Sequence, residues 1–531
     1  MFTRFSLILG AALFVAGSAS AATFSANGGV GSSTIGSGGD YATLAAAAAD
    51  FNGATPVTGN YTFFITSNLS EPTNVSFAKD TAGFTVTIKP APATTPVVTF
   101  TLLTDNAGPS GHIVIGSLTT AWTLTPTNNF IIDGSNTVGG ATRDLTLTTS
   151  AAAISGSRLV RVAGACNNVQ VKNCKLYSLA TSGSVFAVDF SSRNQTATNY
   201  IPTNGLIENN DITVMGSLSG QGITAGVSGT VTSGQAQTGL VIRNNDVLAR
   251  TRGLFLNVLA DATIDNNRIK VNQSATGVAS YGIWHFAANG ATGWTMNITN
   301  NTINQLQSAN ATSGGYGLTA IEASQSGGTY NIYNNMIAGY NYTGATPQDQ
   351  LYRGIRAAGT SPANIYHNSI NMPAFASVTG ATGGNAVAII AGTATDVRNN
   401  IIKFDAAGAG AYAIYKSAAT GLTSDYNALS GAGKTAYYGS AYPTFVAWQG
   451  AGFDTHGKNI DPTTGTSPGV WVSATDLRFT AFPGGLQQGT FIASVPADID
   501  GNTRDVPRPY PGASETLPGG VPVTVSGFSI D

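Results

Sequence analysis

Ionisable side chains are scarce enough here to be surveyed type by type. The 531 residues hold 24 Lys or Arg, 26 Asp or Glu and four His, a charged fraction of 9%, against about 25% in an ordinary soluble domain. His112, His285, His367 and His456 are scattered, and no pair has the spacing of zinc ligands. Cys166 and Cys174 lie eight positions apart in a segment that reads as extended, up to ~26 Å. A disulfide needs Cα atoms within about 7 Å, so two buried thiols are expected unless a turn brings them together. Asp498, Asp500 and Asn502, in Asp-Ile-Asp-Gly-Asn, have the opening alternation of a calcium loop without its remaining ligands. Asp-Gly is also a turn signal. A turn tied by an Asp500–Arg504 pair is therefore the expectation, and no cofactor, with calcium the weaker alternative.

The residues must be positioned by repeats. One hexad recurs: apolar, any, Asn, Asn, any, apolar. Its copies start at Val171, Ile207, Ile242, Ile264, Ile298, Ile332, Ile365 and Val397. The fourth slot advances in steps of 36, 35, 22, 34, 34, 33 and 32 residues. Period-two strands this short cannot bury a face alone, and stacking makes their core continuous. The 22-residue step fits one bare solenoid coil, and the longer steps fit the same coil carrying a loop. Asparagine tolerates the left-handed conformation of a sharp corner, and its amide both donates and accepts. A structural ladder is expected from Asn173, Asn209, Asn210, Asn244, Asn245, Asn266, Asn267, Asn300, Asn301, Asn334, Asn335, Asn368, Asn399 and Asn400. Cys174 replaces an amide in one fourth slot, and His367 replaces one in a third slot. Both read as structural. The second slots form a column Lys172, Glu208, Arg243, Asp265, Thr299, Tyr333, Tyr366, Arg398, whose alternating charges suit cross-strand pairing and whose two tyrosines could stack.

A second element begins with glycine or alanine and continues with apolar alternation. The residue after its inward aliphatic should face solvent, giving the column Thr224, Phe255, Trp284, Thr319, Arg356, Tyr415. Phe255, Trp284, Arg356 and Tyr415 are the candidate carbohydrate-binding residues. Rings stack on sugars, and a guanidinium pairs with an acidic sugar or sulfate. Exposed aromatics are also simply good strand formers.

Together the hexads and Gly-led strands resemble a secreted bacterial right-handed parallel β-helix protein of the pectate-lyase-like superfamily, over roughly Gly38 to Glu515. The resemblance implies an all-β solenoid with a short N-terminal capping helix and an irregular closing segment. The helix is expected from Asp40, as N-cap, to Phe51. Early rungs are expected near Tyr61–Ile65, Phe84–Ile88, His112–Ile115 and Phe130–Gly134. Enzymes of this fold use acidic clusters with a nearby Arg, Lys or His. Yet Asn-Thr-Asp, Asp-Asp, Gly-His-Gly and Arg-x-Pro-x-x-Arg are all missing from the sequence, and Arg-x-Lys occurs only as Arg268-Ile269-Lys270, inside a repeat hexad and the strand that follows it.

The expected organisation is a secretory signal over residues 1–21, a cap and irregular coils over 22–127, and regular repeats over 128–430. A closing segment over 431–515 and a tail or linker over 516–531 follow. With a formal net charge of −2 and no basic stripe, nucleic acid is not an expected partner, and no later segment is long and apolar enough to span a membrane. The leading expectation is an exported, non-catalytic extracellular or cell-surface protein, structural or adhesive, contacting polysaccharide. The alternative is a polysaccharide lyase or glycoside hydrolase with a site near Asp189, Glu322 or Arg356.

Overall fold

Each hexad straddles a corner. In the computed structural model, Gln170–Lys172 ends one strand, Asn173 turns with φ +58°, and Cys174–Ser178 begins the next. The described residues are 22–101, 111–116, 126–150, 157–180, 184–192, 201–215, 219–227, 236–273, 279–286, 291–308, 317–342, 352–357, 359–374, 386–406, 410–461, 471–480 and 489–515. The expected signal and tail segments, 1–21 and 516–531, lie outside them.

The strands assemble into three 13-stranded sheets visited cyclically: Tyr61–Ile65 in sheet 1, Leu69–Glu71 in sheet 2, Val75–Phe77 in sheet 3, then Val86–Pro90 in sheet 1 again. Neighbours along each sheet pair in parallel, apart from an antiparallel hairpin, Lys434–Tyr438 with Ala441–Tyr442, at the end of sheet 3. This is a right-handed parallel β-helix. The 22-residue step is one bare coil, with strands Asp246–Ala249, Arg252–Asn257 and Ala262–Asp265. In the longer steps, from Cys174 to Asn400, the extra residues enter the connections before or after sheet 3; the sheet 1–sheet 2 corner stays tight. Sheet 3 is therefore the face flanked by insertions.

The two asparagines divide the work. Third-slot residues take the left-handed corner, from φ +50° at Asn266 to +59° at Asn244, with His367 at +52°. Fourth-slot amides point inward and bond along the axis: Asn210 to Asn245 at 3.0 Å, Asn245 to Asn267 at 2.9 Å, Asn267 to Asn301 at 3.0 Å and Asn301 to Asn335 at 3.1 Å. The ladder continues through Asn368 and Asn400 to Asn427, and ends on the buried Asp454, whose Oδ1 accepts from Asn427 Nδ2 at 2.8 Å. A buried amide must find a partner, and a carboxylate able to accept several bonds closes the row. At its other end Cys174 N–H donates to Asn210 at 3.0 Å. Outer amides also link, Asn209 to Asn173 at 2.8 Å and Asn266 to Asn244 at 2.8 Å.

Apolar columns fill the interior; Val171, Ile207, Ile242, Ile264, Ile298, Ile332, Ile365 and Val397 are wholly buried. The second-slot column pairs in the expected register from Lys172 to Arg398. Within it Arg243 meets Glu208 at 2.6 Å, while Tyr366 has Arg398 over its ring at 5.1 Å. Both thiols are buried and free, and burial pushes the Cys166 thiol up to about 12.

Two details differ from expectation. The helix is Leu44–Phe51 (α1), capped by Thr43, whose hydroxyl accepts from Ala46 N–H at 3.1 Å. Asp40 instead accepts from Thr34 N–H at 2.7 Å and braces the first strand, Gly31–Ile35. Asp500 pairs with Arg478 at 2.7 Å, and Arg504 with Glu515 at 2.8 Å, so no Asp500–Arg504 pair ties the turn. Asp498 does that, accepting from Asp500 and Asn502 N–H groups at 3.0 and 2.8 Å. The closing segment also contains a short helix, Phe445–Gly450 (α2), capped by Thr444.

Candidate functional site on sheet 3

Sheet 3 strands break period-two alternation. In Arg252–Asn257 the partly exposed residues are Arg252 and Phe255, three apart, with Gly253 and Leu254 buried between them. The break recurs because a small residue sits there on successive rungs: Ala187, Gly222, Gly253, Gly282, Ala320, Gly354, Ala388 and Ala413. At Gly253 a Cβ would stand 2.3 Å from Ile269 Cγ2 and 2.6 Å from the Gly282 carbonyl oxygen. The consequence is two columns on one outer face. One runs Arg158, Phe186, Gln221, Arg252, Tyr281, Thr319, Arg353, and the other runs Arg161, Asp189, Thr224, Phe255, Trp284, Glu322, Arg356, Ile390, Tyr415.

Thr319 is thus not in the column with Trp284. Glu322 is. Nor is the column openly solvated: Asp189, Thr224 and Glu322 are buried, and Phe255, Trp284, Arg356 and Tyr415 are half-buried. The covering comes partly from the column beside it. Arg252 lies 4.5 Å from the Phe255 ring and 4.4 Å from Trp284, Tyr281 stacks on Trp284 at 4.2 Å and 15°, and Phe286 stacks on Trp284 at 4.5 Å. Arg252, Tyr281 and Arg353 have no place in a strict period-two reading, which puts residues three apart on opposite faces, whereas Phe286, two beyond Trp284, fits one. The signal that finds Arg252, Tyr281 and Arg353 is the recurrent small residue immediately after each, Gly253, Gly282 and Gly354.

Electrostatics concentrate on the same rungs. Glu322 receives Arg356 Nη1 in an ion pair. Burial raises its carboxyl above the usual range, against the opposing pull of Arg356 and Arg353. Burial pulls Arg252 down to about 10, and lowers Arg353 with help from the like charge of Arg356. Among the described residues, Arg252 Nε and Arg353 Nε are buried without a hydrogen-bond partner. Three guanidiniums and one carboxyl therefore face a row of rings.

The other expected groups fall apart from this patch. Asp189 is held between Arg158 and Arg161 as a buried cluster, with Arg161 at 3.2 Å. It lies four rungs from Glu322, ~19 Å at ~4.8 Å per rung, too far for the paired acids of a glycosidase, which stand about 5–10 Å apart. Tyr415 lies four rungs beyond Trp284 and belongs to a second aromatic group, stacked on Tyr437 at 4.9 Å. His285 points inward, with Nδ1 2.8 Å from the Tyr330 hydroxyl, and His367 is buried with Nε2 2.9 Å from Asn399 Nδ2. Among the described residues there is no group of three or more metal-ligating side chains, and no helix long and apolar enough to cross a membrane.

No protein-family model matches the chain, and no curated protein matches it. Solved structures do align. A pectate lyase, Pel9A, is 10% identical over 92% of this chain and 97% of its own, with TM-score 0.41. The DFA-IIIase of Arthrobacter chlorophenolicus A6 is 12% identical over 76% and 94%, with TM-score 0.38. The A-module of the mannuronan C-5 epimerase AlgE4 of Azotobacter vinelandii is 14% identical over 75% and 91%, with TM-score 0.32. The β-helix assignment rests on this chain's own strand register and asparagine ladder.

Proposed function

We propose that the chain is an exported β-helix protein that binds an acidic polysaccharide on the outer face of sheet 3, in a structural or adhesive role. The observation that carries this reading is the unpartnered Nε of Arg252 and Arg353 beside stacked Trp284 and Tyr281. Arg252 and Arg353 are partly exposed as residues, and a guanidinium not used up inside the protein can pair with a carboxylate or sulfate on a sugar that stacks over the rings. A catalytic reading, lyase or hydrolase, has one observation in its favour: the carboxyl of Glu322, raised by burial, beside Arg356, an arrangement suited to proton exchange.

One experiment separates the readings. Retention of the protein on a panel of uronic and sulfated polysaccharides is measured together with ultraviolet absorbance of the soluble products. Retention without new absorbance or reducing ends is expected. Unsaturated ends would establish a lyase, and absence of retention on every member would refute glycan binding.

A further inference from the structure

The last hexad-like corner has Ser424 in the apolar first slot and departs further at the corner residue itself. Ser424-Asp425-Tyr426-Asn427 places Asn427 in the ladder, but puts Tyr426 in the corner slot with φ +59°. A bulky side chain in the left-handed region is strained, by about 1–3 kcal/mol, where asparagine serves in most other copies. The ring is used elsewhere: it lies flat on His456, centroids 4.7 Å apart and planes at 8°. His456 Nδ1 is held by Asp425 Oδ2 at 2.8 Å, and Asp425 Oδ1 accepts the His456 and Tyr426 N–H groups, each at 2.9 Å. With Nδ1 bound to the carboxylate, Nε2 is the ring nitrogen left to interact.

Tyr426 and His456 form one wall of a cleft of about 520 Å³, also lined by Thr455, Lys458, Thr490 and Arg508. Thr490 is anchored to the solenoid: Asn399 donates to its carbonyl at 2.7 Å and accepts its N–H at 3.0 Å. None of the lining side chains is acidic, and two are exposed cations. Asp425, the carboxylate behind the wall, is already engaged by three donors from its neighbours.

We infer that this cleft is a second ligand site, away from sheet 3, that takes a compact oxoanion, carboxylate or sulfate, through Lys458, Arg508 and His456, with the Tyr426 ring beside it. It is independent of the sheet 3 reading, since the cleft is built from a sheet 1–sheet 2 corner and the closing segment.

The test is calorimetric titration of the full chain with inorganic sulfate and, separately, with glucuronate, each up to on the order of 10 mM, which covers weak binding. Saturable binding of either is expected, and the stronger arm identifies the source as free oxoanion or acidic sugar. Lys458→Gln with Arg508→Gln should weaken it by about tenfold or more. Tyr426→Asn should weaken it too while keeping or raising the melting temperature, because it restores the corner residue of the other coils. No saturable binding in either arm overturns the inference. So does binding that survives both variants unchanged.

Discussion

Glu322 is the residue whose chemistry most directly reports on the sheet 3 face. Burial holds its carboxyl above the ordinary range, so on acidification it takes up a proton earlier than an exposed glutamate would. Protonation removes the only described negative charge among Arg252, Arg353, Arg356 and Tyr281, and frees Arg356 from its ion pair. Retention of a sulfated polysaccharide, whose own charge is constant, should therefore strengthen on acidification from pH 7, beginning above the range in which an exposed glutamate titrates. Glu322→Gln should bind at pH 7 as wild type does at lower pH and show a flatter profile. A wild-type profile that weakens on acidification would contradict this. Such a site was only half legible in the sequence. Trp284, Phe255 and Arg356 are found by alternation, but Gly317-Leu318-Thr319 imitates the Gly-led start. The true small residue on that rung is Ala320, so the place of Glu322 beside Trp284 in the column was hidden.

At the scale of the element, the corner and the kink are the two devices that matter. The corner was fully readable, because one hexad states both the left-handed residue and the inward amide. Its register from Lys172 to Arg398 is set by pairs identical in kind on each coil. The kink was not, because glycine and alanine alternate there and neither carries a side chain to pattern. Two substitutions test these devices. Asn301→Ala removes an amide bonded to Asn335, and takes away the side-chain oxygen that accepts from the buried Asn267 backbone N–H. Denaturant titration should show a loss of about 1–3 kcal/mol. Gly253→Ala forces a Cβ against the Gly282 carbonyl and Ile269, with an expected cost of about 1–3 kcal/mol. No measurable change in either would mean that the row or the kink is not under constraint.

Over the whole molecule, scarcity of charge follows from the architecture. Thin coils turn many side chains into a continuous core, and polar work passes to ladders of uncharged amides, which leaves few ionisable groups to place. Several of those charges fasten the closing segment back along the solenoid. Arg504 is fully buried and reaches Asn334 at 2.7 Å, the Gly512 carbonyl at 2.9 Å and Glu515 at 2.8 Å. Contacts spanning 170 residues have no local pattern, so this strap was invisible beforehand. Arg504→Met leaves Glu515 buried without its counter-charge, at an expected cost of about 3–5 kcal/mol, and limited proteolysis should then cut near residues 489–515 first. Unchanged proteolytic resistance would argue against the strap. The central claim, that sheet 3 binds acidic polysaccharide through stacked rings and guanidiniums, is tested most directly by affinity electrophoresis in gels containing an acidic polysaccharide that retards wild type. The account predicts that Trp284→Ala and Arg353→Gln each migrate as if the glycan were absent, while remaining folded by circular dichroism. Full retardation of both folded variants would contradict it.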